Sequence, residues 1–382
     1  VDGVPIADVP VYLFNEAGAY LNITGTTDTD GTVSFRIPAG LYKFRADYQT
    51  HQFWSGTAQL TADQENPVTI YTGGGLFSLT VTKDGTLPVF GENCYVFNEV
   101  GTYIGLTGVT DSCGQVGFDL SDGSYNFRLD YLGYQFWSGL LTVPEALSEA
   151  MIIPHQDTIV TVNSVYQDTI EPLVEIKTYL FTDSDIYLNQ SPVTDVNGQV
   201  TFDLPEQPYK VRADYLGRQY WSEAFTWQEK TIEIPMAEAE ITVAGNGQTL
   251  EGIPVYVFNE DEEYLNITDI TDMDGQVSFR LPGGDYKFRA DHQGSNYWSE
   301  IVGLTADQVN TIDISTGGGT FNLTVLKSAT ESLVGAGCYL FGSSGNYLNL
   351  SAVTSSEGQV SFDVADGDYK VRVDYLGYEF WT

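Results

Sequence analysis

The sequence predicts an all-β protein, a tandem array of small antiparallel β-sandwiches of the Ig-like or prealbumin-like kind. One observation is repetition: "TDTDGTVSF" at 27–35 returns as "TDSCGQVGF", "TDVNGQVTF", "TDMDGQVSF" and "TSSEGQVSF". The glycines of these phrases, Gly31, Gly114, Gly198, Gly275 and Gly358, lie 83, 84, 77 and 83 residues apart, and Trp54, Trp137, Trp221, Trp298 and Trp381 keep the same spacings. A fixed period of that length marks a repeat architecture. A second observation is alternation. In "LYKFRADY", Tyr42, Phe44, Ala46 and Tyr48 fall on one face while Lys43, Arg45 and Asp47 fall on the other, as in a strand with one buried side. The third is punctuation, since short runs bounded by Gly, Pro, Asn and Asp predict about seven strands per copy.

The elements follow in order. The first strand is clearest at the head of copy four, "AEITVA" at 239–244, and is followed in copy one by "VPVYLF" (9–14) and "AYLNIT" (19–24). The "TDxxG" phrase then turns the chain, because Asp caps backbone N–H groups and Gly supplies positive φ. "TVSFRI" (32–37) leads into "LYKFRADY" (41–48). "HQFWSGTAQL" (51–60) places Phe53 and Trp54 on opposite faces of one strand, so one large aromatic of each copy must leave its core. Val1 aligns with Gly245, after "AEITVA", and the last copy stops at "FWT", before a counterpart of "TVPEALSEAMIIP". These open edges predict completion by further chain or by a neighbouring subunit's strand.

The expected domains are 1–75, 76–156, 157–236, 237–319 and 320–382, the first without its first strand and the fifth without its last. A longer period is superimposed. "TGGG" occurs at 72–75 and 316–319, and Cys94 and Cys338 share the same offset of 244, so copy four resembles copy one and copy five resembles copy two. The "TGGG" segments read as flexible joints.

Composition excludes several classes. A net charge of −36 rules against nucleic acid, which demands clustered Lys and Arg. No apolar run approaches the roughly 20 residues of a membrane helix, so no membrane insertion is expected in this segment, and any signal or anchor is expected outside it. Three cysteines exclude a disulfide framework. Cys94 and Cys338 read as buried small apolar residues, and Cys113 replaces the residue equivalent to Asp30. His51, His155 and His292 occupy no recurring site and have no metal spacing, so an enzyme is not expected.

The order "G-x-P-V-Y-V-F-N-E … T-D-x-D-G-Q-V-S-F-x-L-P-x-G-x-Y-K-F-R-A-D", read at 252–291, resembles the prealbumin-like sandwiches of carboxypeptidase-regulatory-like and Cna-B or SpaA-type repeats of bacterial surface proteins. The resemblance implies stalks, spacers or adhesin backbones at the cell surface. Some members carry an internal isopeptide bond from a first-strand Lys to a last-strand Asn or Asp. Lys83 and Lys327 stand in first strands here, but "SEAMIIP" offers no Asn and the other copies lack the Lys, which argues against that chemistry.

Several recurring residues are candidate sites. The turn carboxylates Asp28 with Asp30 and Asp272 with Asp274, and the mixed pair Asp195 with Asn197, are candidate Ca²⁺ ligands, although the bidentate Glu of an EF-hand is missing. Copies two and five carry Cys113 and Ser355 in the key places and are expected to bind weakly or not at all. Asn22, Asn189, Asn266 and Asn349 form N-x-S/T acceptors at one point of four copies, which reads either as glycosylation or as a polar turn residue copied by duplication; Gly105 breaks the series. Trp54, Trp137, Trp221, Trp298 and Trp381 are candidates for interdomain or interchain stacking. Nine of sixteen basic residues lie in "YKFRADY" and its copies, where Arg is expected to pair with carboxylates across the sheet. The function expected is the structural shaft of an extracellular filament, stalk or surface layer, stabilised by cations and built from copies of the chain. The alternative is a calcium-dependent adhesin that holds glycans on its exposed aromatics.

Overall fold

The computed structural model describes residues 3–382, and these contain no helix. Copy four shows the complete unit. Lys230–Gly245 runs antiparallel to Gln276–Pro282 and parallel to Val309–Gly317, forming one sheet. The facing sheet is ordered Tyr264–Ile270, Pro254–Asn259, Gly284–His292, Ser295–Trp298. Between them Ile241, Val257, Phe279, Leu281 and Phe288 are buried, each contributing roughly 1.5–3 kcal/mol of transfer free energy. The alternation read from the sequence has placed them there: "QVSFRLP" inserts Val277, Phe279 and Leu281, while Ser278 and Arg280 face water. Seven principal strands are joined by two short ones, Gln248–Thr249 and Val302–Leu304. The array of antiparallel β-sandwiches predicted from the sequence is the architecture observed.

Copy three departs locally. Where other copies have a strand such as Tyr264–Ile270, residues 187–193 form only single bridges, Lys177 to Val193 and Phe181 to Tyr187. Its version of the segment, "YLNQSPV", carries Pro192, which has no N–H to give to a ladder. In copy one, the segments equivalent to Gln276–Pro282 and Val309–Gly317 are not strands, and a cleft of about 1410 Å³ opens between them over Val33, Phe35 and Ile70.

The copies join with almost no linker. Strand Lys230–Gly245 serves as the last strand of copy three and the first of copy four, pairing in parallel with His155–Tyr166 before continuing beside Val309–Gly317. Only Pro154 separates Ser148–Ile153 from His155–Tyr166, and only Gly318 separates Val309–Gly317 from Gly319–Thr324.

The "TGGG" segments are not flexible joints. Gly74 has φ +94°, and a Cβ there would stand 1.8 Å from the Leu120 carbonyl oxygen; Gly318, at φ +104°, would meet the Val364 carbonyl oxygen at 2.2 Å. Thr72 and Thr316 are buried beside them, and their carbonyls accept hydrogen bonds from Asp122 N and Asp366 N, both at 2.8–2.9 Å. Glycine is required because two backbones touch, which fixes the corner instead of loosening it.

Candidate functional site

In every copy a two-residue hairpin joins the "YKFRADY" strand to the "QFWS" strand, and in copies one to four its tip forms the contact with the next copy. The tip residues are Gln49, Leu132, Leu216, Gln293 and Leu376, all with φ between +46° and +49°. A two-residue connection with positive φ at both places matches the right-handed twist of the strands, but Leu or Gln in that region costs about 1–2 kcal/mol that Gly or Asn would largely avoid. Each of the first four tips spends that strain on an interdomain contact.

The glutamine tips read backbone. Gln49 Oε1 accepts from Ser121 N at 2.8 Å while its Nε2 donates to the Asp119 carbonyl at 2.9 Å, and the Tyr125 hydroxyl donates to the same Oε1 at 3.3 Å. Gln293 repeats the set with Ala365 N, the Asp363 carbonyl and Tyr369. Burial pushes the Tyr125 and Tyr369 hydroxyls up to about 12. His51 adds an edge contact to the Tyr125 ring, 5.2 Å between centroids, and lies 3.2 Å from Glu99.

The leucine tips instead insert apolar surface. Leu132 packs on the copy-three core, and Tyr134 meets Tyr209 edge-on at 5.4 Å and donates to the Pro208 carbonyl and to Asp183. Leu216 packs on the copy-four core, while the Arg218 guanidinium lies 5.3 Å from the Tyr286 ring centre and reaches Glu260 at 3.4 Å. The receiving position explains which tip is used. Where Ser121 and Ala365 offer an N–H to glutamine, copies three and four carry Pro205 and Pro282, both buried and without a donor. A glutamine there would bury an unsatisfied carbonyl oxygen, so leucine fits.

Each outer face carries one constellation. Trp54 stacks on Phe14 at 4.6 Å, Tyr20 stands 5.4 Å from Phe14, and the Arg45 guanidinium lies 4.7 Å over Tyr12. The same cluster surrounds Trp137, Trp221, Trp298 and Trp381 through Phe97, Phe181, Phe258 and Phe341. The tryptophans remain 38–50% exposed, and their neighbours Phe53, Phe136, Tyr220 and Tyr297 turn into the core, whereas Phe380 of copy five stays exposed. They stand on the outer surface of their own sandwiches, and the joints are made by the hairpin tips. The arginines do not mainly pair across the sheet: each binds the Asp two residues on in its own strand, Arg45 to Asp47 at 2.7 Å and Arg289 to Asp291 at 2.8 Å, because positions i and i+2 share a face. Arg372 adds a cross-strand contact to Glu379 at 3.3 Å.

In the turns, Asp28 Oδ1 accepts from Asp30 N and Thr32 N at 3.0 and 2.9 Å, and Asp195 and Asp272 do the same for Asn197 with Gln199 and Asp274 with Gln276. Hydrogen bonds from the backbone of Thr32 and Gln199 hold the Asp28 and Asp195 carboxyls below their ordinary range. Asp111 forms this turn with Cys113 in it, and Ser355 forms a longer version, so the fold needs only the first side chain. Among the described residues no three His, Cys, Asp or Glu side chains gather as metal ligands. The carboxylate pairs alone make a poor Ca²⁺ cage, which takes six to eight oxygens.

Asn22, Asn189, Asn266 and Asn349 are exposed and have φ of +57° or +58°. Gly105 holds their place in copy two at φ +85°. The shared requirement is left-handed backbone, which Asn and Gly tolerate best, so the Asn has a conformational reason independent of any glycan.

No family model matches the chain, and no curated protein matches it. Among solved structures it is similar to the Bacillus anthracis TIE protein, at 14% identity over 81% of this chain and 68% of that one, TM-score 0.22. It is also similar to GBS52, the minor pilin of Streptococcus agalactiae, at 15% identity over 42% and 94%, TM-score 0.28, and to BcpA, the major pilin subunit of Bacillus cereus, at 13% over 63% and 99%, TM-score 0.19.

Cys94 and Cys338 are buried, Cys113 is exposed and all three are free; burial pushes the Cys94 thiol up to about 12. Lys83 meets Asp203 of the next copy at 2.8 Å, and Lys327 meets Glu331 at 3.0 Å. Sequence reasoning missed the hairpin tips. Their signal was present in the alternation of "DYQT", "DYLG" and "DHQG" against "LS", "LP" and "VA", but the partners lie about 70 residues apart.

Proposed function

We propose that this chain is a structural shaft segment of an extracellular filament, stalk or surface layer. The observation that carries the reading is the construction of the four joints: each has a hairpin tip seated on the following sandwich, and one 16-residue strand runs through two copies. At roughly 3.3 Å per residue that strand alone extends about 50 Å, which stiffens the array along its length. The mechanism is mechanical, with each sandwich closing a core and each joint fixing the next orientation. The chain acts without catalysis in this reading. Divalent cations would serve by screening the acidic surfaces of neighbouring shafts, and the exposed sequon Asn side chains would carry glycans on the outside.

The exposed Trp, Tyr and Arg clusters favour a second reading, an adhesin whose aromatic faces hold sugar rings. Electron microscopy of the native material separates them. Ordered filaments with regularly stacked sandwiches support the shaft. Flexible single chains that bind glycans saturably, with binding lost in Trp54→Ala and Trp298→Ala at unchanged stability, would overturn it. Chelation should alter lateral bundling and leave the melting temperature of the single chain unchanged.

A further inference from the structure

The residue two places beyond each tip also faces the next copy, and it differs from joint to joint. At the first joint it is His51 and at the third Arg218; at the second it is Tyr134 and at the fourth Ser295. His51 and Arg218 occupy one kind of seat. His51 lies 3.2 Å from Glu99, with its ring 5.2 Å from that of Tyr125. Arg218 lies 3.4 Å from Glu260, at the position of Glu99, and 5.3 Å from the ring centre of Tyr286, at the position of Tyr125. The floor of each seat is glycine: a Cβ on Gly123 would stand 2.5 Å from the imidazole Nε2, and one on Gly284 would stand 2.4 Å from the guanidinium carbon. One seat therefore holds a permanent cation, and the other a cation that pH can switch off.

The contacts of the ring select its charged form. Nδ1 lies 2.9 Å from the Gln49 carbonyl oxygen and Nε2 lies 3.2 Å from Glu99 Oε2. Both partners only accept, so a neutral imidazole, with one N–H, leaves one nitrogen facing an oxygen with no hydrogen between them; the imidazolium donates to both. The Tyr125 hydroxyl, 3.5 Å from Nδ1, has closer partners in Ser121 and Gln49. The remaining titratable groups around the seat are Tyr48 of copy one and the carboxylates Asp119 and Asp122 of copy two, which act on Tyr48 and Tyr125. Among the described residues Glu99 pairs with no cation other than His51, and the chain as a whole, at −36, favours a cation there. His155, beside the second joint, sits otherwise. Its Nδ1 donates to the Ile153 carbonyl at 2.9 Å and its Nε2 accepts from the Tyr131 hydroxyl at 3.1 Å, so its neutral form is fully bonded.

We propose that His51 makes the joint between copies one and two a pH-sensitive clasp, closed by an imidazolium that bridges the Gln49 carbonyl and the Glu99 carboxylate. Closing this joint takes up a proton. Its stability therefore rises as pH falls through the histidine range, from about 8 to about 5, and is lost as pH rises again. Below about pH 5 carboxylates begin to be neutralised and the gain ends. The third joint, held by Arg218, keeps its ion pair throughout. The clasp works within a single chain, so the inference stands apart from filament assembly.

Amide exchange of the full chain, corrected for the intrinsic effect of pH on exchange, tests it at Ser121, whose N–H donates to the Gln49 tip. Protection there should rise about two- to fivefold between about pH 8 and about pH 5.5, the range of a part-exposed ion pair. Ala365, at the joint that carries Ser295, should show no such rise. His51→Arg, which copies the third joint, should hold the higher protection at both pH values, and Glu99→Gln should hold the lower. Nitrogen NMR shifts of the His51 imidazole should show both ring nitrogens protonated at the lower pH in the unmodified chain, a readout that depends on no variant's folding. An absent rise at Ser121, a rise that persists in either variant, or a neutral ring at the lower pH overturns the proposal.

Discussion

The joint between copies one and two and the joint between copies two and three use the same hairpin in the same place, and hold by different physics. The first is a polar joint: Gln49 completes the hydrogen bonding of a loop whose N–H and C=O groups face it, and the Gly74 corner brings the backbones together. The second is apolar: Leu132 and Tyr134 fill a surface whose head residue, Pro205, has nothing to donate, and the chain passes straight on with only Pro154 between strands. The buried Tyr209 hydroxyl has no hydrogen-bond partner among the described residues, while its equivalent Tyr125 bonds to Gln49 and to Ser121. Each tip therefore matches the hydrogen-bonding capacity of the head on which it is seated.

The largest effect should come from the corner that only the polar joints possess. Gly318→Ala adds a clash with backbone on top of a disfavoured φ and should destabilise the joint between copies four and five by about 3 kcal/mol, read as faster amide exchange at Ala365 and Asp366. The equivalent change at Gly139, where a Cβ would meet nothing, should be near neutral. Next comes the apolar plug. Leu132→Ala should weaken the joint between copies two and three by about 2 kcal/mol, less than a fully buried leucine, detected as faster cleavage around Pro154 by a protease.

Crossing the two chemistries sharpens the comparison. Gln49→Leu leaves the Ser121 N–H buried without an acceptor and should cost about 1–3 kcal/mol. Tyr125→Phe should cost about 1 kcal/mol, whereas Tyr209→Phe removes an unsatisfied hydroxyl and should be neutral or stabilising; equal losses in thermal melting would refute the distinction. The smallest effect concerns pH. Burial lowers His292 from its ordinary 6.5, so the unfolded chain takes up its proton first and stability falls as pH drops below that value. His292→Tyr, the residue of the other copies, should flatten the melting temperature of copy four between pH 7 and 5.

Much of this was legible in the sequence. The strands were fixed by alternation and the turns by Asp and Gly, because both signals are local and recur five times. Asn22 is visible in the string as a sequon, whereas the φ of +57° that its place also demands is not. "TGGG" looked flexible because glycine permits both freedom and close approach, and only the neighbouring Leu120 carbonyl tells them apart. Arg45 was expected to reach across the sheet, but Asp47 lies on its own face two residues on.

By itself, then, the sequence determined the repeat, the sandwich and the order of its strands, since each depends on contacts and periodicities within one copy. The tertiary structure alone decided the use of the surface: that Trp54 faces outward on its own domain, and that Gln49 and Leu132 are the joints. Those outcomes depend on groups about 70 residues apart meeting at one tip, and on whether the residue they meet, Ser121 or Pro205, has a hydrogen to give.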